Sequence, residues 1–256
     1  MGSWPAGLRL SIATLSILRV PVTDADRPTA GRAMACAPLV GAGIGAVAAA
    51  VGWAANTYTD STLIAAVTAA AVFAAATRAL HLDGLADVAD ALGSAKPREQ
   101  ALDIMKRSDI GPFGVVTLVV ALLLQIASLN AAYAHHRGPQ AILIAAITGR
   151  LAVTLACTPR VPTARPTGLG AWVAGSVSTR AAAVVAALCL AASFGLGLTR
   201  NLPVAIVAAA ACVVGTACAL ALLHRCTSRF GGITGDVLGA LVETATTGAL
   251  LVMAIR

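Results

Sequence analysis

Seven stretches of this chain, at 33–59, 61–77, 110–134, 138–159, 181–199, 201–223 and 237–255, carry almost no charge, and they run near the length a helix needs to cross a bilayer. Backbone polar groups cannot stay unpaired in lipid, so segments of this kind must be helical. Only 11% of the residues are charged, against about a quarter in soluble domains, which closes off a water-soluble fold. The sequence therefore predicts an all-α, polytopic membrane helix bundle of about seven transmembrane helices, forming one integral-membrane domain over 1–256. The shorter run from Gly7 to Val20 carries Arg9 and Arg19 and is expected to lie along the interface as a short N-terminal helix. No cleavable signal is expected, because no compact apolar core with a small-residue cleavage site precedes the charges at 24–32. Six cysteines show no ligand spacing and read as small core residues.

A net charge of +7 would suit a nucleic-acid partner, but the positions of the basic residues explain it differently. Alternating the helices puts 13 Lys and Arg residues on one side and three on the other, with Arg78 and Arg150 inside spans. This is the positive-inside pattern. It places the N-terminus in the cytoplasm of a multi-pass protein of the bacterial plasma membrane, and it removes the need for nucleic acid. The longer loops, 82–109, 158–180 and 224–236, fall on the same side, so chemistry is expected there.

One of those loops opens with three aspartates, Asp83, Asp87 and Asp90, at i, i+4 and i+7. At about 100° per residue they project from one helix face. The plain reading is a solvated helix end. The alternative is a cation site, with Gly84, Ala86 and Ala89 leaving room for a phosphate group. An oxygen-only set favours a hard ion, Mg²⁺ or Mn²⁺, over zinc. A second stretch, Gly231-Gly232-Ile233-Thr234-Gly235-Asp236, reads either as a turn with Asp236 as a helix cap or as a backbone phosphate cradle with one more acid.

Other candidates follow from charge and place. Arg150 and Glu243 each lie roughly 10 Å inside their spans at 1.5 Å per residue, and are expected to pair across the bundle. His81 is either a donor to phosphate or an idle interface histidine. Gly41, Gly43 and Gly45 lie inside a span with no preceding strand and read as helix packing. Residues 101–107 are expected to form a short amphipathic helix, after which Ser108 to Pro112 cap the next span. His135 to Arg137 read as a solvated turn on the opposite side.

The ordered set His81-Leu82-Asp83-Gly84-Leu85-Ala86-Asp87-x-x-Asp90, Ile104-Met105-x-x-Ser108-x-Ile110-Gly111-x-x-Gly114 and Gly231-Gly232-x-Thr234-Gly235-Asp236-x-x-Gly239-Ala240-x-x-Glu243 resembles the cobalamin-5'-phosphate synthase family, the adenosylcobinamide-GDP ribazoletransferases. Arg19-Val20-Pro21-Val22 extends the resemblance over essentially the whole chain. Three positions depart from the family pattern. Ala91 replaces a glycine, Leu18 replaces a threonine, and Lys106-Arg107-Ser108-Asp109 stands where relatives read basic-Asp-Ser-basic. Either Asp109 substitutes from the next position or one ligand is missing.

The resemblance implies a magnesium-dependent transferase of late cobalamin biosynthesis, with adenosylcobinamide-GDP and α-ribazole or its 5'-phosphate as partners and GMP as leaving group. On that basis Asp83, Asp87 and Asp236 are expected to hold Mg²⁺. Asp90 is expected as general base, with Lys106 and Arg107 neutralising phosphate. His81, Gly84, Ser108, Gly111, Gly231, Gly232, Thr234 and Gly235 are expected at the substrate. The bilayer is a further partner, and association into an oligomer is compatible with the bundle. Rival readings are a CDP-alcohol phosphotransferase, a membrane prenyltransferase and a cation-coupled transporter. The first expects arginine where Asp87 stands, the second two Asn/Asp-x-x-x-Asp motifs, and the third acids near the midplane.

Overall fold

The computed structural model describes residues 3–22, 26–107 and 109–255. Among these residues the helices are α1 (Trp4–Leu15), α2 (Arg27–Ala35), α3 (Ala37–Thr59), α4 (Thr62–Ala75), α5 (Leu80–Gly93) and α6 (Arg98–Ile104). They continue as α7 (Pro112–Ala134), α8 (Gly138–Ala156), α9 (Leu169–Val173), α10 (Thr179–Leu198), α11 (Leu202–Phe230) and α12 (Gly235–Met253). Six of them, α3, α7, α8, α10, α11 and α12, are long and apolar enough to span a membrane. The helix α4 reaches that standard only together with α5, from which it is bent by 86°. The bend is made by Arg78 and Ala79, both at positive φ. The bend turns α5 across the direction of α4, and the crossings number six, or seven if the bent pair makes one span.

The predicted bundle is thus present, with local shifts. Residues 33–35 belong to α2, because Cys36 ends that helix and Pro38 starts another within α3. The last turn of α1 closes at Leu15, where the Ser16 hydroxyl donates to the Ile12 carbonyl. The short helix expected at 101–107 starts earlier, directly after Pro97, as α6. Residues 224–230, expected to be loop, continue α11. Arg137, expected in a solvated turn, is buried.

The centre of the bundle is α8 and α12, whose span windows are 78% and 72% buried, against 22% for α10 at the edge. Lipid gives no hydrophobic drive between helices, so close backbone approach must supply the packing. A Cβ on Gly41 would sit 2.5 Å from the Ala146 carbonyl oxygen, and one on Gly45 2.7 Å from the Ala146 methyl. These two glycines let α3 touch α8, as their spacing suggested; Gly43 faces open space. On the other side, Gly215 of α11 rests against the Ala245 carbonyl of α12.

The expected Arg150–Glu243 ion pair is not formed. Arg150 is fully buried with its guanidinium carbon 4.6 Å from the centre of the Phe73 ring. Glu243 takes a different partner: its Oε2 accepts from Gln125 Nε2 at 2.8 Å, and the same amide nitrogen lies 3.0 Å from Thr247 Oγ1. An amide donor therefore meets the buried carboxylate from α7. Replacing Gln125 with Leu should destabilise the fold by about 1–3 kcal/mol, the cost of an unsatisfied buried polar group. Adding Glu243→Leu should recover part of that loss. Thermal unfolding in detergent checks both, and independent, additive effects would contradict the pairing.

Candidate active site

The right-angle bend carries α5 across the end of the bundle and against the N-terminus of α12. Gly84 is the point of contact. A Cβ there would stand 2.6 Å from the Asp236 carbonyl oxygen and 3.0 Å from its Cα. The missing side chain is filled by Asp236's backbone, so Gly84 does not leave space for phosphate as expected. It joins two distant stretches of chain so that Asp83 and Asp87, either side of it in sequence, stand next to Asp236.

At the start of α12 the cap is Thr234, whose Oγ1 accepts from the Val237 amide at 3.1 Å. Asp236 is therefore not spent as the N-cap. Its carboxylate accepts from the Thr234 hydroxyl at 3.2 Å and lies 3.8 Å from Arg165 Nη1. Asp83 is exposed and Asp87 half-buried. Burial first, then the carboxylates of Asp83, Asp236 and Asp90, push Asp87 up to about 7, with Arg165 pulling the other way. Like charges held this close favour a bound cation, which would reverse the shift.

Asp90 is placed differently. It is buried, and its two carboxylate oxygens accept from the backbone amides of Gly111, at 2.7 Å, and Gly114, at 2.9 Å. It thus supplies from α5 the N-terminal cap of α7, a cap that Gly111 lacks a side chain to give. Any Cβ on Gly111 or Gly114 would collide with that carboxylate, which explains both glycines. Gly111 thus meets Asp90 and also lines the cavity beside it. With one amide on each oxygen, Asp90, expected as general base, ties α5 to the start of α7.

The remaining candidates divide. Arg107 joins Asp87, Asp90 and Asp109 around a cavity of about 210 Å³, with Lys96 on its wall. Lys106 is instead exposed and paired with Asp103 at 2.8 Å. Ser108 lies outside the described residues. Gly231 ends α11 at φ +79°, and Gly232 packs against residues 162–164, whose Pro162 carbonyl accepts from the Ile233 amide at 2.9 Å. This pair forms a turn, with the Arg98 guanidinium against Gly231. Gly235 and His81 line a second cavity of 250 Å³ beneath Asp83 and Asp236. His81 is buried, with neither ring nitrogen partnered.

Sequence reasoning missed the cations of this face. Arg165 reaches both Asp236 and the Leu102 carbonyl, Arg98 donates to the Ala164 carbonyl at 3.1 Å, and Arg229 donates to the Lys96 carbonyl at 3.0 Å. Their clustering in the three long loops was the available signal. Among the described residues no group of three His, Cys, Asp or Glu side chains is placed to hold a metal ion. An Mg²⁺ ion on one or two of these carboxylates would need substrate phosphates and waters to complete its shell. The arrangement, an acidic face ringed by arginines at the end of a lipid-embedded bundle, can hold a cation and an anionic phosphoryl group side by side.

A family model described as cobalamin-5-phosphate synthase matches residues 7–254. The chain is 45% identical to an adenosylcobinamide-GDP ribazoletransferase of Frankia casuarinae, over 95% of this chain and 92% of that one. Proteins of the same name from a Nocardioides species and from Pseudomonas paraeruginosa are each 37% identical, covering 97% and 96% of this chain and 98% and 97% of their own length. No solved structure matches. Over nearly its whole length, and through the two motifs that Gly84 brings together, the chain belongs to the cobalamin-5-phosphate synthase family.

Proposed function

We propose that this protein joins adenosylcobinamide-GDP to α-ribazole, or to its 5'-phosphate, at the membrane surface, releasing GMP. The observation that carries the reading is the convergence of Asp83, Asp87 and Asp236 through the Gly84 contact. Sidedness of the basic residues supports a cytoplasmic site, and the bacterial plasma membrane as its location. The unpaired state of Arg150 and the amide-paired Glu243 give a transport pathway no support.

Asp83, Asp87 and Asp236 would hold Mg²⁺, which when bound neutralises charge on the diphosphate. Arg165 and Arg107 add positive charge on either side of the acids. A ribose hydroxyl of the acceptor attacks the phosphorus on the cobinamide side. The new P–O bond forms as the bond to the GMP oxygen breaks, and the leaving electron pair departs with GMP. The hydroxyl proton passes to a carboxylate. Asp87, which faces the 210 Å³ cavity, is placed to take it when it does not hold the ion, whereas Asp90 already accepts from two backbone amides. Asp90 keeps the α7 N-terminus, and Arg107 with it, in register with α5.

Asp83→Asn and Asp236→Asn should each lower GMP release from adenosylcobinamide-GDP and α-ribazole by at least about a hundredfold, with unchanged thermal midpoint. Near-wild-type turnover by either would remove the assignment. For Asp90→Asn the order reverses. It should lose about 1–2 kcal/mol of stability, as a cap does, because an amide cannot accept from both N–H groups as a carboxylate does. Full stability with abolished turnover would restore it as base. Fusing alkaline phosphatase to the C-terminus should give an active reporter in a bacterial host; an inactive one would invert the topology.

A further inference from the structure

The 250 Å³ cavity is walled by apolar side chains from separate helices, among them Leu15, Met34, Val153 and Leu169, and it ends at Asp83 and Asp236. One polar ring sits in that wall. His81 is 3% exposed, and both its ring nitrogens are without a partner. Leaving a buried donor or acceptor unmade is unfavourable, so a ligand that meets this ring gains what the empty protein forgoes. Whichever nitrogen carries the hydrogen, an imidazole ring has at least one N–H to give.

Size and polarity select among the groups this reaction must hold. Whole drug-sized ligands take cavities of roughly 300–1,000 Å³, so this one suits a single bicyclic ring and excludes a corrinoid. Guanine would bury a carbonyl, an N–H and an amino group against a largely hydrocarbon wall. Of the other polar side chains there, Asp83 and Asp236 are assigned above to the ion at the cavity's end, and the Thr14 hydroxyl already donates to the Leu10 carbonyl at 2.8 Å. A methylated benzimidazole presents an apolar face and one ring nitrogen with a free lone pair. That inventory matches one imidazole N–H in an apolar slot.

We propose that this cavity receives the benzimidazole base of the riboside acceptor, with His81 as its hydrogen-bond partner, so that the attached ribose emerges between Asp83 and Asp236. The assignment rests on the ribazoletransferase reading above. It makes His81, Met34 and Leu169 determinants of acceptor specificity, while the 210 Å³ cavity, where Arg107 and Lys96 stand among Asp87, Asp90 and Asp109, is left for the donor's phosphates and their counter-ion.

The test is steady-state kinetics of the full chain in lipid nanodiscs, varying acceptor and donor separately. His81→Phe should raise KM for α-ribazole at least tenfold while KM for adenosylcobinamide-GDP stays within twofold; His81→Gln, which keeps a donor, should fall between. Leu169→Trp, at a half-buried position on the rim, should produce the same acceptor-only rise by filling the slot. In the unmodified protein, free 5,6-dimethylbenzimidazole should compete with α-ribazole and not with the donor. The proposal is overturned if donor KM rises instead, if Leu169→Trp leaves acceptor KM unchanged, or if the free base does not compete. Should His81→Phe fail to fold, Leu169→Trp and the free base decide. Absence of GMP release by the unmodified protein sinks the functional reading itself, and is seen before any variant is compared.

Discussion

The contact of Gly84 with the backbone of Asp236 is the constraint on which the rest of the site depends. Three acids can share one ligand only if the helix bearing two of them meets the end of the helix bearing the third, with nothing between. Any side chain at 84 would hold α5 off α12. The approach is possible because the chain turns through 86° after α4, laying α5 across α12 rather than alongside it. Lipid outside and small-residue packing inside fix where α12 ends, so the site's geometry is set by the bundle beneath it.

Asp90 extends the same logic to α7. A carboxylate that accepts from two helix-terminal amides ties the third aspartate of the motif to the next span. Of the motif's three acids, Asp83 and Asp87 stand beside Asp236, and Asp90, singled out from the sequence as general base, anchors the next span. Around them, Arg98, Arg165 and Arg229 donate to backbone carbonyls of neighbouring loops. Their positive charge near the acids is held in place by the same contacts that close the loops. Structure and electrostatics are here supplied by the same side chains.

The bundle was legible because hydrocarbon thickness and backbone hydrogen bonding leave a long apolar run little choice of structure. The acid face was legible for the same kind of reason, the fixed rotation per residue of a helix. What the sequence did not show was tertiary: that Gly84 is filled by Asp236, that Asp90 caps α7, that Glu243 meets Gln125 rather than Arg150. No local spacing encodes these. The Lys106–Asp103 pair was an exception, since its i, i+3 spacing could have been read and would have removed Lys106 from the phosphate ligands. His81 illustrates the converse: its place beside the acids was plain, but its burial without a partner, which gives it meaning, needed the fold.

If acids from α5 and α12 grip one divalent ion together with the diphosphate, electron paramagnetic resonance of Mn²⁺ titrated into the protein with adenosylcobinamide-GDP and no acceptor will report it. Asp83→Asn and Asp236→Asn should each weaken the bound Mn²⁺ at least tenfold. Unchanged Mn²⁺ affinity in either variant would contradict that shared grip.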